Sequence, residues 1–220
     1  MTRIIGGTAG GRRLKTPTGE ATRPTSDRVR EALFSALESD LGSLAGLRFL
    51  DLYAGSGAVG LEAMSRGAGV VTLVESDRRT ARLVQGNAST LGFRKVEVLA
   101  QPVAVALALH PRAPYDVVFA DPPYPLGNRE VEEMLALLVA NQWLASGSLL
   151  VLERSARSVE PAWPRGLVPD REKQYGETVL WYVRAGPAGP SGEDDHDPQD
   201  DPQDDPDDPQ DDPDDPERRR

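Results

Sequence analysis

Leu47-Arg-Phe-Leu-Asp-Leu-Tyr-Ala-Gly-Ser-Gly-Ala-Val-Gly60 decides how the rest of the chain is read. The apolar run Leu47 to Leu52 predicts a buried strand. Gly55-Ser-Gly-Ala-Val-Gly predicts a tight turn that opens a helix over Leu61 to Ser65. The same rhythm repeats downstream. Val70 to Glu75 predicts a second strand, followed by a helix from Arg78 to about Leu91. Val96 to Leu99 predicts a third, with a weak helix near Val103 to Leu109. Tyr115 to Ala120 predicts a fourth strand ending in Asp121-Pro-Pro-Tyr, and Arg129 to Asn141 a helix with Val131, Leu135, Leu138 and Val139 turned inward. Leu149 to Glu153 predicts a fifth strand, and Thr178 to Arg184 a late one beside a stretch near Leu167. Strands alternating with helices indicate a parallel sheet covered on both faces.

Upstream, Ser26 or Asp27 can cap a helix whose stripe is Val29, Leu33, Phe34, Leu37 and Leu41. Residues 1 to about 24 are polar, glycine-rich and basic, with Arg3, Arg12, Arg13, Lys15 and Arg23 against Glu20. They read as an arm folded into a short hairpin with glycine at the bend. At the other end, residues 186–220 hold 15 Asp and Glu against Arg218, Arg219 and Arg220, a balance of −12. Pro recurs about every third residue there, and Ala188 is the one apolar side chain. Nothing in such a stretch offsets the entropy of ordering, so it reads as a disordered Asp/Pro-rich tail. Residues 25–185 between arm and tail read as one domain.

The formal charge of −10 therefore misdescribes the body, which carries 22 basic and 20 acidic groups. Other classes fall away on composition. With no cysteine there is no disulfide, thiolate zinc site or cysteine nucleophile. The two histidines, His110 and His196, supply neither a metal cluster nor a Ser-His-Asp triad. No apolar run reaches the length of a membrane span and no signal-peptide core follows the first basic residues, so the expectation is a soluble, cytoplasmic protein.

Gly55, Gly57 and Gly60 form Gly-x-Gly-x-x-Gly between a strand and a helix, and Glu75 ends the next strand. Such glycines let backbone approach a nucleotide-like ligand, while the carboxylate can accept from ribose hydroxyls. A tight structural turn with a solvated carboxylate is the bland alternative. Asp51 at the strand tip suits a cationic amino-acid moiety and would repel a pyrophosphate. Asp121-Pro-Pro-Tyr is the sharper signal. It stands at the carboxyl edge of the fourth strand, where open α/β sheets bind ligands. Its prolines, Pro122 and Pro123, stiffen the turn, leaving the Asp121 side chain and the Pro122 carbonyl as paired acceptors for a planar NH₂ group. Tyr124 offers a ring on which a base can stack. The bland reading is a proline-rich surface turn with a capping Asp.

Asp51-Leu-Tyr-Ala-Gly-Ser-Gly resembles the first motif of class I S-adenosylmethionine-dependent methyltransferases, and Asp121-Pro-Pro-Tyr that of members acting on exocyclic amines of bases. Gly11-Arg-Arg-Leu, Arg23-Pro-Thr-Ser-Asp-Arg-Val-Arg-Glu-Ala-Leu-Phe and the Gly-Leu-Glu-Ala-Met-Ser-Arg-Gly-Ala run resemble the RsmD family, bacterial 16S rRNA guanine-N2 methyltransferases. The likeness spans roughly residues 3 to 184, and the acidic tail lies outside it. It implies a Rossmann-like fold with a mostly parallel seven-stranded sheet, S-adenosyl-L-methionine as cofactor, and guanine N2 of 16S rRNA as acceptor. The substrate would be the small ribosomal subunit or its late precursor, and the enzyme a monomer. It further implies that Asp51, Tyr53, Ala54, Gly55, Ser56 and Gly57 line the methionine part of the cofactor. Glu75 would hold the ribose, with Ser76, Asp77 and Gln101 beside the adenine. Asp121 and Pro122 would orient the amine and Tyr124 stack the flipped base, with no metal. Arg12, Arg13, Lys15, Arg23, Arg28 and Arg30 would contact rRNA phosphates, although Asp27 and Glu31 compete for the last three.

Three rival readings stay open at this point. A nicotinamide-dependent oxidoreductase fits the glycines but leaves Asp121-Pro-Pro-Tyr unexplained. A non-catalytic RNA-binding assembly factor needs the basic arm alone. An adenine-N6 methyltransferase on RNA or DNA shares the turn, because either amine donates two hydrogens to the same acceptors.

Overall fold

The computed structural model describes residues 2–17, 26–123 and 125–186. Arg23, Tyr124 and the acidic tail beyond Gly186 lie outside the described residues. Seven strands form one sheet: β1 (Arg48–Leu52), β2 (Val70–Val74), β3 (Val96–Leu99), β4 (Tyr115–Ala120), β5 (Leu144–Ser155), β6 (Leu167–Tyr175) and β7 (Thr178–Ala185). Their spatial order is β3-β2-β1-β4-β5-β7-β6. The first five are parallel, whereas β7 runs antiparallel between β5 and β6. This is the class I S-adenosylmethionine-dependent methyltransferase fold.

The helices are α1 (Asp27–Leu41), α2 (Ala58–Ser65), α3 (Arg78–Leu91), α4 (Val103–Leu107) and α5 (Asn128–Ala140). Ser26 caps α1, its side chain accepting from the Val29 N–H at 3.3 Å. Strand alternation separates two apolar layers. Phe49, Val117, Phe119, Leu149 and Val151 pack with α1, α2 and Val84 of α3 on one face. Leu50, Leu52, Val118, Ala120, Leu150 and Leu152 pack with α4 and α5 on the other.

Two strands exceed the expectation. β5 starts at Leu144, because Ala145-Ser-Gly-Ser reads as turn chemistry yet continues the pairing with β4 across an irregularity. β6 is a full edge strand whose Asp-Arg-Glu-Lys-Gln sequence carries almost no apolar signal.

The described part of the basic arm, residues 2–17, is folded onto the domain. Its ends pair around a 3₁₀ turn at Gly7–Ala9, with Ile4 N–H to Arg12 O at 2.9 Å and Leu14 N–H to Thr2 O at 2.9 Å. Glu62 of α2, fully buried, accepts the Ile5 N–H at 2.6 Å and the Gly6 N–H at 2.8 Å. Ser65 accepts from Ala9 N–H at 2.9 Å and donates to Gly6 O at 2.6 Å. Ile4, Ala9 and Leu14 fill an apolar seam against α2 and α3.

Arg30 corrects the expected set of phosphate contacts. Its side chain is wholly buried, reaching Ala58 O at 3.3 Å, Arg3 O at 2.8 Å and Asp27 Oδ1 at 2.7 Å. Helical periodicity puts residue 30 beside Val29 and Leu33 on the inward side of α1, and the guanidinium satisfies backbone carbonyls there. Arg12, Arg13, Lys15 and Arg28 are exposed.

Candidate active site

The sheet order reverses between β1 and β4, so the loops after these strands diverge and leave a crevice at the carboxyl edge. After β1 the chain turns sharply. Tyr53 takes a left-handed conformation at φ 64°, followed by Gly55 at 53° and Gly57 at 76°. A tyrosine in that region is strained, and strain of this kind concentrates at functional sites. Two bonds fix the turn, Ala54 N–H to Val74 O at 2.9 Å and Gly57 N–H to Ala54 O at 2.8 Å.

A cavity of about 900 Å³ opens over this edge. Tyr53, Ala54, Gly55 and Ser56 line it from the β1 turn, Glu75 and Ser76 from the end of β2, and Asp121, Pro122 and Pro123 from the end of β4. Asp51 lies at its floor, 2% exposed, with Oδ2 accepting the Gly60 N–H at 2.8 Å. Burial pushes the Asp51 carboxyl up to about 8; the Gly60 hydrogen bond opposes this, and the charges of Asp121 and Glu75 add to the rise. Glu75 is oriented by two backbone donors, Gly55 N–H at 2.9 Å and Asp77 N–H at 2.8 Å. Past β4, Leu126 N–H donates to Pro123 O at 2.8 Å, and Arg154 donates to Leu126 O at 2.8 Å. The Asp-Pro-Pro turn is thus tied to β5.

Two expected cofactor contacts do not reach this cavity. A Cβ at Gly57 would lie 2.8 Å from Val84 and 3.3 Å from Leu61 and Leu73, so that glycine faces the core. Gln101 does not line the cavity; its N–H bonds Leu99 O at 3.0 Å, and Pro102, Val103 and Ala104 form the wall there. Asp77 has a local task, capping α3 through the Thr80 N–H at 2.7 Å. Sequence reasoning missed Thr16 and Pro17, which bring the arm to the rim, and Glu153 near the end of β5. Glu153 carries a readable signal, a lone acid closing an apolar strand.

A buried carboxyl that burial keeps protonated in the free protein, with two more acids beside it, is complementary to a bound cation, and the Glu75 side chain to vicinal hydroxyls. Comparison with known proteins specifies the family. A family model described as Conserved hypothetical protein 95 matches residues 2–184. Ribosomal RNA small subunit methyltransferase D of Escherichia coli K12 is 38% identical over 177 residues, covering 80% of this chain and 86% of that protein. The chain belongs to the RsmD family. A further RsmD relative, from Haemophilus influenzae, is 38% identical over 154 residues, 69% of this chain and 77% of its own length. Among solved structures, the E. coli protein yhhF superimposes with a TM-score of 0.75 at 34% identity, over 84% of this chain and 98% of that one. The S-adenosylmethionine-bound magnesium protoporphyrin IX methyltransferase of Synechocystis has a TM-score of 0.57 at 16% identity and shares the fold alone, over 72% of this chain and 79% of its own. RsmD family membership thus rests on similarity along almost the whole described chain.

Proposed function

We propose that this chain methylates the exocyclic N2 of a guanine in 16S rRNA of the small ribosomal subunit, with S-adenosyl-L-methionine as the methyl donor. Membership of the RsmD family makes it an rRNA methyltransferase. The observation that carries the reading is the convergence of Asp51, Glu75 and Asp121 on one cavity at the switch point. The residues present suit the cofactor. Asp51 in the ligand-free protein retains its proton to about pH 8, a cost that a neighbouring cation removes. When bound, S-adenosylmethionine supplies an electrophilic methyl on a positively charged sulfur.

The chain's own residues do the rest by position. Asp51 and the Tyr53–Ser56 turn hold the amino-acid end, and Glu75 accepts from the ribose hydroxyls. Ser76 and the Pro102–Ala104 wall flank the base of the cofactor. Asp121 and the Pro122 carbonyl accept the two hydrogens of the target amine, drawing its lone pair out of conjugation with the purine ring. Asp121 then receives the proton that nitrogen loses after alkylation. Tyr124, two positions beyond Pro122, supplies a stacking ring for a base taken out of its helix. Arg12, Arg13, Lys15 and Arg28 offer positive charge to the RNA backbone. Transfer of this kind passes directly from sulfur to nitrogen without a covalent enzyme intermediate, so positioning is a main contribution the chain can make.

The experiment is methyl transfer from labelled cofactor to small subunits lacking the modification, followed by nucleoside analysis. N2-methylguanosine in 16S rRNA supports the reading. N6-methyladenosine, or no transfer from a correctly folded enzyme that binds S-adenosylmethionine, overturns it.

A further inference from the structure

Three acids that line the cavity, Glu130, Glu133 and Glu153, have no role in the reading above, and of these Glu153 is the buried one. Glu153 is 7% exposed and lines the cavity together with Asp121. The two are also the acids of a small recess of about 20 Å³ completed by Pro122, Arg154, Ser155 and Ser158. Register explains their adjacency. Ala120 pairs with Leu152 across β4 and β5, and each is followed by an acid. Alternation carries both acids to the face of Phe119 and Val151, which is also the face of Phe49 and Asp51. Glu153 pairs with Leu180, whose side chain belongs to that same layer.

A guanine offering its N2 amine for methylation necessarily presents N1–H next to it. Adenine and 2-aminopurine have a bare lone pair on the ring nitrogen beside their amine. An ionised carboxylate only accepts hydrogen bonds, so it complements N1–H and repels a lone pair. We infer that Glu153 is a specificity-determining residue that accepts the guanine N1–H while Asp121 accepts from N2. The inference rests on the guanine reading and adds to it the means by which the enzyme distinguishes guanine from other purines. Recognition by a buried group of this sort discriminates, because the wrong base sets its ring-nitrogen lone pair against the carboxylate.

The test uses the full chain and small subunits reconstituted with either guanosine or 2-aminopurine riboside at the methylated position. Both bases carry the 2-amino group, and only guanine carries N1–H. The wild-type enzyme should prefer guanine by about a hundredfold in kcat/KM. In Glu153→Gln, whose amide can donate as well as accept, that preference should fall at least about tenfold, with S-adenosylmethionine affinity unchanged. A Glu153→Gln enzyme that keeps the wild-type preference overturns the role of Glu153. So does a wild-type enzyme that uses both bases equally, a result requiring no variant to fold. Absence of any guanine-N2 product from the wild-type enzyme is a different failure, that of the methyl-acceptor reading itself.

Discussion

Lys15 and Asn87 hold each other in both directions: the Lys15 N–H donates to Asn87 Oδ1 at 3.0 Å, and Asn87 Nδ2 donates to the Lys15 carbonyl at 2.9 Å. The same buried amide reaches Ser56 O at 3.2 Å, joining the arm to the glycine turn through α3. Asn87→Ala should therefore destabilise the fold by about 1–3 kcal/mol and weaken cofactor binding as well, since Thr16 and Pro17 line the cavity next to the clamp. Thermal unfolding and calorimetry check both effects. Unchanged affinity would separate the arm from the cofactor site.

Asp121→Ala or Asp121→Asn should lower methyl transfer by hundreds-fold while S-adenosylmethionine still binds. A charge-assisted bond that strengthens as the amine becomes tetrahedral is worth several kcal/mol in the barrier. Single-turnover transfer with saturating cofactor gives the answer, and near-normal rates would sink the assigned role.

Asp51 makes stability depend on pH. In the folded, ligand-free protein its carboxyl is pushed up to about 8 from an ordinary value of 3.8. Between these values the folded state holds a proton the unfolded chain has lost, so stability declines as pH rises through that window. Asp51→Asn should abolish this decline and be more stable than wild type at pH 8 by on the order of a few kcal/mol, yet bind S-adenosylmethionine poorly. Urea unfolding at pH 5 and pH 8 measures the first, and calorimetry the second. Binding to the wild type should also release a proton near pH 7, seen as a dependence of heat on buffer ionisation.

Glu75→Ala should weaken S-adenosylmethionine binding by about 1–3 kcal/mol, the cost of unpaired ribose hydroxyls. It also frees the N–H groups of Gly55 and Asp77, so part of the loss should appear as a looser turn. Glu75→Gln keeps one acceptor and should be milder. Equal affinity in all three proteins would remove Glu75 from the site.

Gly57→Val should damage folding more than binding. Its Cβ would lie 2.8 Å from Val84, at a backbone φ of 76° that side chains disfavour. Loss of a cooperative unfolding transition is the expected result. A well-folded variant defective only in affinity would point to the cavity instead.

Most of the sheet was legible because buried parallel strands read as apolar runs; β2, β3 and β4 stand within one residue of their expected limits. The motif turns located Asp51, Glu75 and Asp121 because strand tips and glycines announce themselves in sequence. What escaped depended on tertiary context. The middle of β6, Asp170 to Gln174, is wholly polar because it lies at an exposed edge, so no period marked its length. Arg30 reads as a surface cation, and only the approach of the arm and of α2 gives it carbonyls to bond inside. Glu62 looks like any helical acid until the Ile5 and Gly6 amides meet it. Gln101 stands a single residue from the wall formed by Pro102, a distance no propensity resolves.

The docked arm has a consequence for how the protein is made. Ile5, Ala9, Lys15 and Arg12 are synthesised well before their partners Glu62, Ser65, Asn87 and Thr90, which follow 57, 56, 72 and 78 positions later. Closing loops of that size is slow compared with forming a helix or a local turn, so the arm is expected to settle late in folding. Until it does, the rim at Thr16 and Pro17 is missing, and chains with a finished sheet still lack one wall of the cavity. A chain whose arm has not yet docked should therefore hold the methyl donor less firmly than the finished fold.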